Sequence, residues 1–341
     1  MARTQLSFAT FNLYNLNQPG MRIYRDRDGW SQADFNKKLA WSSRQIANLD
    51  VDVWAFQELW HEASLQQVFT EANPPEEFEL LVPANHRGGR IVCAAAVRKD
   101  ILKSEPEWID KFPENFRLDS KGDDDQTSGI DVLIDRFSRP VLHFEIQPRA
   151  RGKRIHIYVC HLKSKSPTAI YTESWYSKAT SSKHAEAIGA ALSTIRRTAE
   201  AAALRMILTE RMLDSDTPVV VIGDLNDNEQ SNTLNIITGQ PNYLLSGFSS
   251  GGSDVDLYSA GALQKFRSQR DVYYTHIYKN NHDSLDHILV SQEFYDNSKR
   301  RIWAFKGMEI VNDHLNDHNH KETGTTDHAI VKADFEYRPA R

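Results

Sequence analysis

Polar side chains of catalytic type repeatedly stand at the ends of apolar runs in this sequence. Asn12 follows SFATF, Glu58 follows VWAFQ, His161 follows IHIYVC, and Asp224 and Asn226 follow PVVVIG. Asp286 opens the run DHILVS, and Asp327 and His328 open the last apolar run. Rigid strand ends present side chains into a cleft. Unpaired polar groups beside a buried sheet are costly, so this concentration of Asn, Glu, Asp and His calls for a ligand. The chemistry such a set can do is hydrolysis of a phosphodiester. That reaction needs a cation on the phosphate oxygens, a base for water, and donors for the pentacovalent centre. Asn12, Glu58 and Asp327 are oxygen donors of the kind Mg²⁺ takes, and Mn²⁺ accepts the same set. Asp224 could act as base, Asn226 as donor, and the histidines as acid, base or phosphate contacts.

The elements that must position these groups can be read from the apolar periodicity. Strands are expected over 5–14, 51–59, 91–98, 141–146, 155–162, 218–223, 286–291 and 328–337. Helices are expected over 32–49, with Leu39, Ile46 and Leu49 on one side, and over 183–213. Strands and helices interleaved in this way predict layered α/β packing. No repeat, low-complexity tract or linker divides the chain, so one domain over 1–341 is expected. Segments 111–131, 165–182 and 312–326 read as loops.

Composition narrows the function classes. The chain has 341 residues, 40% hydrophobic and 26% charged, with a net charge of −5. Proteins that hold nucleic acid by surface charge alone are usually basic, since neutralised phosphates supply the affinity. A nucleic-acid reading therefore needs local Lys and Arg or a bound cation, and a small phosphodiester stays in play. Cys93 and Cys160 lie in apolar runs and are expected to be small buried hydrophobes, not a disulfide. No signal-peptide pattern is present and no apolar stretch approaches a membrane span, so a cytoplasmic protein without a membrane is expected. No feature calls for an obligate protein partner.

The blocks TFNLYNL (10–16), AFQEL (55–59), CHLKSK (160–165), VIGDLND (221–227), SLDHILVS (284–291) and TTDHAIV (325–331) resemble, in order, those of the endonuclease/exonuclease/phosphatase superfamily. FSRP ahead of an HLKSK block especially resembles its bacterial nucleases. GDLN alone is moderately specific and QE or DH alone is weak, but together the blocks span nearly the whole chain. The resemblance implies an α/β fold, a four-layered sandwich of two mainly antiparallel sheets packed face to face with outer helices (DNase I-like). It implies Asn12, Glu58 and Asp327 as metal-site residues and Mg²⁺ or Mn²⁺ as cofactor. It implies Asp224 as the group that activates water, Asn226 as a phosphate contact, and His328, with Asp286 as its carboxylate partner, at the scissile phosphate. His161 matches a second histidine of the deoxyribonuclease-like and sphingomyelinase-like branches, and Arg139 a phosphate-binding arginine, with Arg136 competing for that role. One departure concerns His161. Pancreatic-type relatives pair it with an acidic residue on an earlier strand, and residues 86–98 contain none.

The expected activity is that of a metal-dependent phosphodiesterase on nucleic acid, DNA first, cutting as an endonuclease. The alternative is a phosphoesterase on a small or lipid substrate such as a phosphoinositide, sphingomyelin or nucleotide. A catalytically silent scaffold is disfavoured, because the expected catalytic positions are filled. Other features receive blander readings. His287 alternates away from Asp286 and is expected to be structural. NDHLNDHNH (312–320) fits no zinc spacing and reads as a solvated loop, as does Asp123–Asp125. Tyr171, Trp175 and Tyr176 could stack on bases, but packing of their loop onto the domain is the first expectation. Arg196 and Arg197 are expected on the exposed face of the long helix. Lys163 and Lys165 are either phosphate contacts or solvated lysines.

Overall fold

Several of the apolar runs have no in–out alternation, and the architecture explains why. In the computed structural model, which describes residues 2–24, 28–74, 77–122, 124–243, 252–268 and 274–340, the strands of the central sheets are covered on both faces. In chain order the strands are β1 (Gln5–Leu16), β2 (Val53–His61), β3 (Phe78–Leu81), β4 (Arg87–Arg98), β5 (Glu107–Lys111), β6 (Asp119–Ser120), β7 (Ile130–Asp131) and β8 (Arg136–Ile146). They continue as β9 (Ile155–His161), β10 (Val219–Asp224), β11 (Tyr258–Ser259), β12 (His276–Tyr278), β13 (Asn281–Asp283), β14 (Asp286–Val290), β15 (Trp303–Val311) and β16 (Ile330–Tyr337). The helices are α1 (Gln32–Asn48), α2 (Glu62–Ala72), α3 (Lys178–Ser181), α4 (Ala185–Met212), α5 (Asn232–Thr238), α6 (Ala260–Arg267) and α7 (His320–Thr323).

One six-stranded sheet has the order β15-β16-β1-β2-β4-β3 and the other β11-β14-β10-β9-β8-β5. Within them β1–β2 and β9–β10 are parallel and the remaining pairs antiparallel. Phe8, Val53, Ala95 and Phe335 of the first sheet share a core with Phe144, Ile157, Val220 and Ile288 of the second. The other face of the first sheet, with Phe11, Trp54 and Phe56, packs on Phe35 and Trp41 of α1 and Leu65 of α2. The other face of the second, with Tyr158, Cys160, Val219 and Val221, packs on Leu204 and Leu208 of α4 and Ile237 of α5. The result is the four-layered α/β sandwich expected from the resemblance. Each large side chain taken out of water contributes about 1.5–3 kcal/mol. Covering both faces therefore favours continuous runs such as VWAF and VVVI. Cys93 and Cys160 are both free and buried, Cys93 in the core between the sheets and Cys160 in the core beneath α4. No helix among the described residues is long and apolar enough to cross a membrane.

The expected strands and both long helices form, with shifted ends. β15 was not foreseen. Its pairing with β16 slips between Phe305 and Gly307, and this bulge breaks the periodicity that would have revealed the strand. Three expectations are corrected. Arg197 is buried, not exposed, because its guanidinium reaches inward to Asp227 Oδ2 at 3.2 Å and to the Lys163 carbonyl; Arg196 is half-buried. Tyr171 and Trp175 are 70% and 55% exposed, so these two do not pack their loop onto the domain, whereas Tyr176 is half-buried. The loop is instead rooted by Thr168, whose N–H donates to the Gly189 carbonyl and whose hydroxyl meets Ser193 of α4. Within 312–320, His314 is buried under Trp41 rather than solvated. Asp124 and Asp125 are exposed, and Asp123 lies outside the described residues.

Candidate active site

Strand register brings the expected residues together. Across the second sheet, Asp224 of β10 stands opposite His161 of β9 on one side and Asp286 of β14 on the other. In the first sheet, Asn12 and Glu58 lie near the C-terminal ends of the parallel neighbours β1 and β2. The sheets meet where the Asn12 amide donates to Asp224 Oδ2 at 3.2 Å.

Local backbone departures aim the side chains. Glu58 has a φ of 59°, within a register slip between Phe56 and Leu59. Such bulges redirect side chains at functional edges. Opposite it, Tyr14 and Asn15 also adopt left-handed φ, and the Asn15 N–H donates to Glu58 Oε2 at 3.0 Å. Asn15 is itself gripped by the indole N–H groups of Trp30 and Trp60. Gly223 has a φ of 147°, and a Cβ there would lie 2.0 Å from the Cys160 carbonyl oxygen. Only glycine lets β10 approach β9 this closely before Asp224 emerges. The following turn is tied by Asn226, whose N–H donates to Asp224 Oδ1 and whose amide donates to the Leu162 carbonyl.

His328 is the hub of the charged groups. Its Nδ1 lies 2.8 Å from Asp286 Oδ2 and its Nε2 lies 3.8 Å from Asp224 Oδ2. Burial alone would favour neutral imidazole, but Asp286, then Asp224, and also Asp327, hold the proton on and raise the pKa well above the ordinary value. His161 behaves oppositely. Burial, together with Arg139, His328 and Lys163, pushes it well below the ordinary value. The carboxylate it meets is Asp224, 3.5 Å from its Nε2, which answers the missing partner on the earlier strand. Asp224 is raised to about 7 by burial, opposed by His328 and assisted by Asp286. Glu58 is raised by burial and by the facing charge of Asp327.

The donor set fits a divalent cation. Glu58 and Asp327 are carboxylates that repel one another across the cleft, and a cation is the group that relieves such a pair. Asn12 uses one lone pair of its oxygen for the Tyr14 N–H and retains the other. Arg139 is half-buried beside the site, with Nη1 on the Leu162 carbonyl, and its charge acts on Glu58 and His161. Arg136 pairs instead with Asp110 and Asp135. His287 turns away to the Asp227 carbonyl, and Lys165 is tied to Asp283 and Asp227.

A family model for the endonuclease/exonuclease/phosphatase family matches residues 9–328. The chain belongs to this family. It is accordingly a phosphoesterase of the endonuclease/exonuclease/phosphatase type, a group whose members generally use a divalent metal. No curated protein matches the sequence. Among solved structures, an endonuclease/exonuclease/phosphatase from Bacteroides vulgatus is 16% identical, with a TM-score of 0.51 over 98% of this chain and 100% of that one. A humanized D. rerio TDP2 is 15% identical, with a TM-score of 0.56 over 97% and 99%. Truncated Caenorhabditis elegans TDP2 is 12% identical, with a TM-score of 0.54 over 97% and 98%. At these identities the likeness establishes the shared endonuclease/exonuclease/phosphatase fold.

Supporting groups escaped the sequence reading. Glu200 of α4 is fully buried and accepts the N–H groups of Ser138 at 2.8 Å and Lys163 at 2.7 Å. It thereby fixes the segments beside Arg139 and His161. Its helical spacing marks it as an ordinary α4 residue, so no sequence signal singles it out. Lys38 of α1 is also fully buried. Its Nζ donates to the Thr325 carbonyl at 2.9 Å and lies 5.6–5.8 Å from the rings of Tyr14, Trp30 and Trp41. Burial lowers its pKa to about 7, against the pull of Asp327 and Glu58. It pins the turn that carries Asp327 and His328. Gly324 in that turn has a φ of 80°, and a Cβ there would press on the backbone of Lys37 and Lys38.

Proposed function

We propose that this chain is a divalent-metal-dependent nuclease that hydrolyses phosphodiester bonds, with DNA as substrate and internal cleavage as its mode. The observation that carries this reading is the buried Asp224–His328–Asp286 set adjoining the Glu58–Asp327 carboxylate pair. Mg²⁺ or Mn²⁺ bound by Glu58 and Asp327, with the free lone pair of Asn12, would supply Lewis-acid polarisation of a phosphate oxygen. Asp224 takes a proton from the attacking water, and its elevated pKa suits it to that work near neutrality. Asn12 and Asn226 hold its two oxygens in place. As the water oxygen bonds to phosphorus and the P–O bond to the leaving oxygen breaks, His328, kept protonated by Asp286, donates a hydrogen bond from Nε2 to the phosphoryl group, and the departing oxygen takes its proton from solvent. His161, as neutral imidazole, and Arg139 contact the phosphate oxygens.

A polymeric substrate is favoured by the exposed Tyr171 and Trp175, which lie on the segment leaving β9 just after His161. Exposed aromatic rings stack on unpaired bases. The net charge of −5 favours the second reading, a small phosphodiester or phosphomonoester. Turnover of double-stranded DNA, single-stranded DNA, RNA and a chromogenic phosphodiester, each with Mg²⁺, Mn²⁺ or EDTA, separates the two. Metal-dependent DNA cleavage supports the nuclease, and turnover confined to the small ester replaces it with the second reading.

A further inference from the structure

The cleft holds an imidazole that the proposed chemistry leaves unused. His276 opens β12 and pairs with His328 through an isolated bridge. The Ala329 N–H donates to the Thr275 carbonyl at 2.8 Å, and the Thr275 hydroxyl accepts the N–H groups of Leu285 and Asp286. Thr275 and His276 are thus clipped by backbone to the very segments that carry His328 and Asp286. The His276 and His328 rings lie 4.9 Å apart, tilted by 44°.

Two observations point to a ligand. His276, Asp327 and His328 each offer one ligand atom, and these atoms all lie within 4.8 Å of one another. The Nδ1 of His276 is buried without a hydrogen-bond partner among the described residues. Leaving a buried polar atom without a partner is unfavourable, and the clip leaves His276 little freedom to relieve it. His328 is the poorer nitrogen donor of the two, since its ring is committed to Asp286 on one side and faces Asp224 on the other. Mg²⁺ is a hard ion that takes oxygen ligands and gives up its waters reluctantly, so an imidazole nitrogen beside a carboxylate disfavours it relative to Mn²⁺, a first-row ion that binds mixed nitrogen and oxygen sites.

We propose that His276 is a nitrogen ligand of the divalent cation held at Asp327, and that it makes this site select Mn²⁺ over Mg²⁺. The proposal rests on the cation site of the preceding section. Its test uses binding and spectroscopy, so the two can fail separately. Mn²⁺ is titrated into the full-length, cation-free protein with detection by electron paramagnetic resonance, in competition with Mg²⁺. Electron spin echo modulation then reports whether ¹⁴N is coordinated. The wild type should bind Mn²⁺ with a ¹⁴N coupling and prefer it to Mg²⁺. His276→Ala and His276→Gln should lose the coupling and weaken Mn²⁺ binding, and with it the preference over Mg²⁺, by at least about 10-fold, since losing even an outer-shell partner of a metal ligand costs that much. His328→Gln should keep the coupling. Should His276→Ala not fold, the near-isosteric His276→Gln gives the same readout. Mn²⁺ bound with no ¹⁴N coupling, or with coupling that survives both His276 variants, overturns the assignment of His276 alone. Absence of Mn²⁺ binding overturns it together with the cation site.

Discussion

Asp286 Oδ2 lies 2.8 Å from Nδ1 of His328, in a pocket where Asp286 is fully buried. This contact fixes the ring so that its other nitrogen faces Asp224. It also provides the largest of the forces that keep the imidazole charged. A group that orients a catalytic imidazole contributes through tautomer and geometry as well as through charge.

The first prediction concerns this pair. His328→Gln removes the charged hydrogen-bond donor and should lower kcat by about 10²–10³-fold, the usual range for a donor to developing negative charge. Asp286→Asn should lose a similar amount while leaving KM nearly unchanged. Steady-state kinetics beside a thermal melt checks it. Retention of kcat by either variant would remove His328 from the chemistry.

The second concerns pH and stability in EDTA. The folded pKa of His328 is raised above the roughly 6.5 of an unfolded histidine. The folded chain therefore holds the extra proton above that pH. Its stabilising contribution is full below about pH 6.5 and is lost as the pH rises through the folded value. Lys38 has the opposite sign. Its folded value of about 7 lies below the ordinary 10.5, so the unfolded chain holds more protons in between and stability rises with pH across that window. Melting temperatures from pH 6 to 10 should give a wild-type minus His328→Gln difference that falls with pH. The wild-type minus Lys38→Met difference should climb above pH 7. Flat differences would contradict both charge assignments.

The third concerns Glu200. Removing a buried carboxylate that accepts two backbone N–H groups forfeits two charge-assisted hydrogen bonds, each of about 1.5–3 kcal/mol. Glu200→Ala should therefore lower urea-unfolding stability by at least about 3 kcal/mol and reduce kcat through the displaced Arg139 and His161 segments. Glu200→Gln keeps one acceptor oxygen and should lose less. Equal stability of the alanine variant and the wild type would show that Glu200 does not hold these segments.

The fourth separates two arginines. Arg139→Ala should raise KM by about 10-fold or more, since a charged hydrogen bond of at least 1.4 kcal/mol corresponds to that factor. Arg136→Ala should leave the kinetics alone, because Arg136 is engaged with Asp110 and Asp135. Substrate titrations of the two variants decide between them.

How much of this was legible in the sequence follows from what each residue does. His161, Asp224 and Asp286 sit at strand ends, so the change from apolar to polar announces them; Asn12 and Glu58 follow apolar runs in the same way, but their strands continue past them through a register slip. The two-sided burial of the sheets made the runs VWAF and VVVI unmistakable. His276 and Lys38 gave no such signal. His276 belongs to a three-residue strand brought to His328 by a backbone bridge, a relation between segments far apart in the chain. Lys38 lies at helical spacing among surface-type residues, and only the rings of Tyr14, Trp30 and Trp41 reveal that it is inside. Arg197 was misplaced for the same reason. Its position on α4 is apolar by geometry, and Asp227, which makes its burial tolerable, lies 30 positions away.

The most direct measurement is the initial rate of supercoiled plasmid nicking by wild-type protein in Mg²⁺, alongside EDTA and Asp224→Asn. The account predicts relaxed circles appearing in Mg²⁺, no conversion in EDTA, and a rate at least about 10²-fold lower for the variant, whose melting curve stays cooperative. Nicking that persists in EDTA or in Asp224→Asn would contradict it, as would an intact plasmid beside brisk turnover of a small phosphodiester.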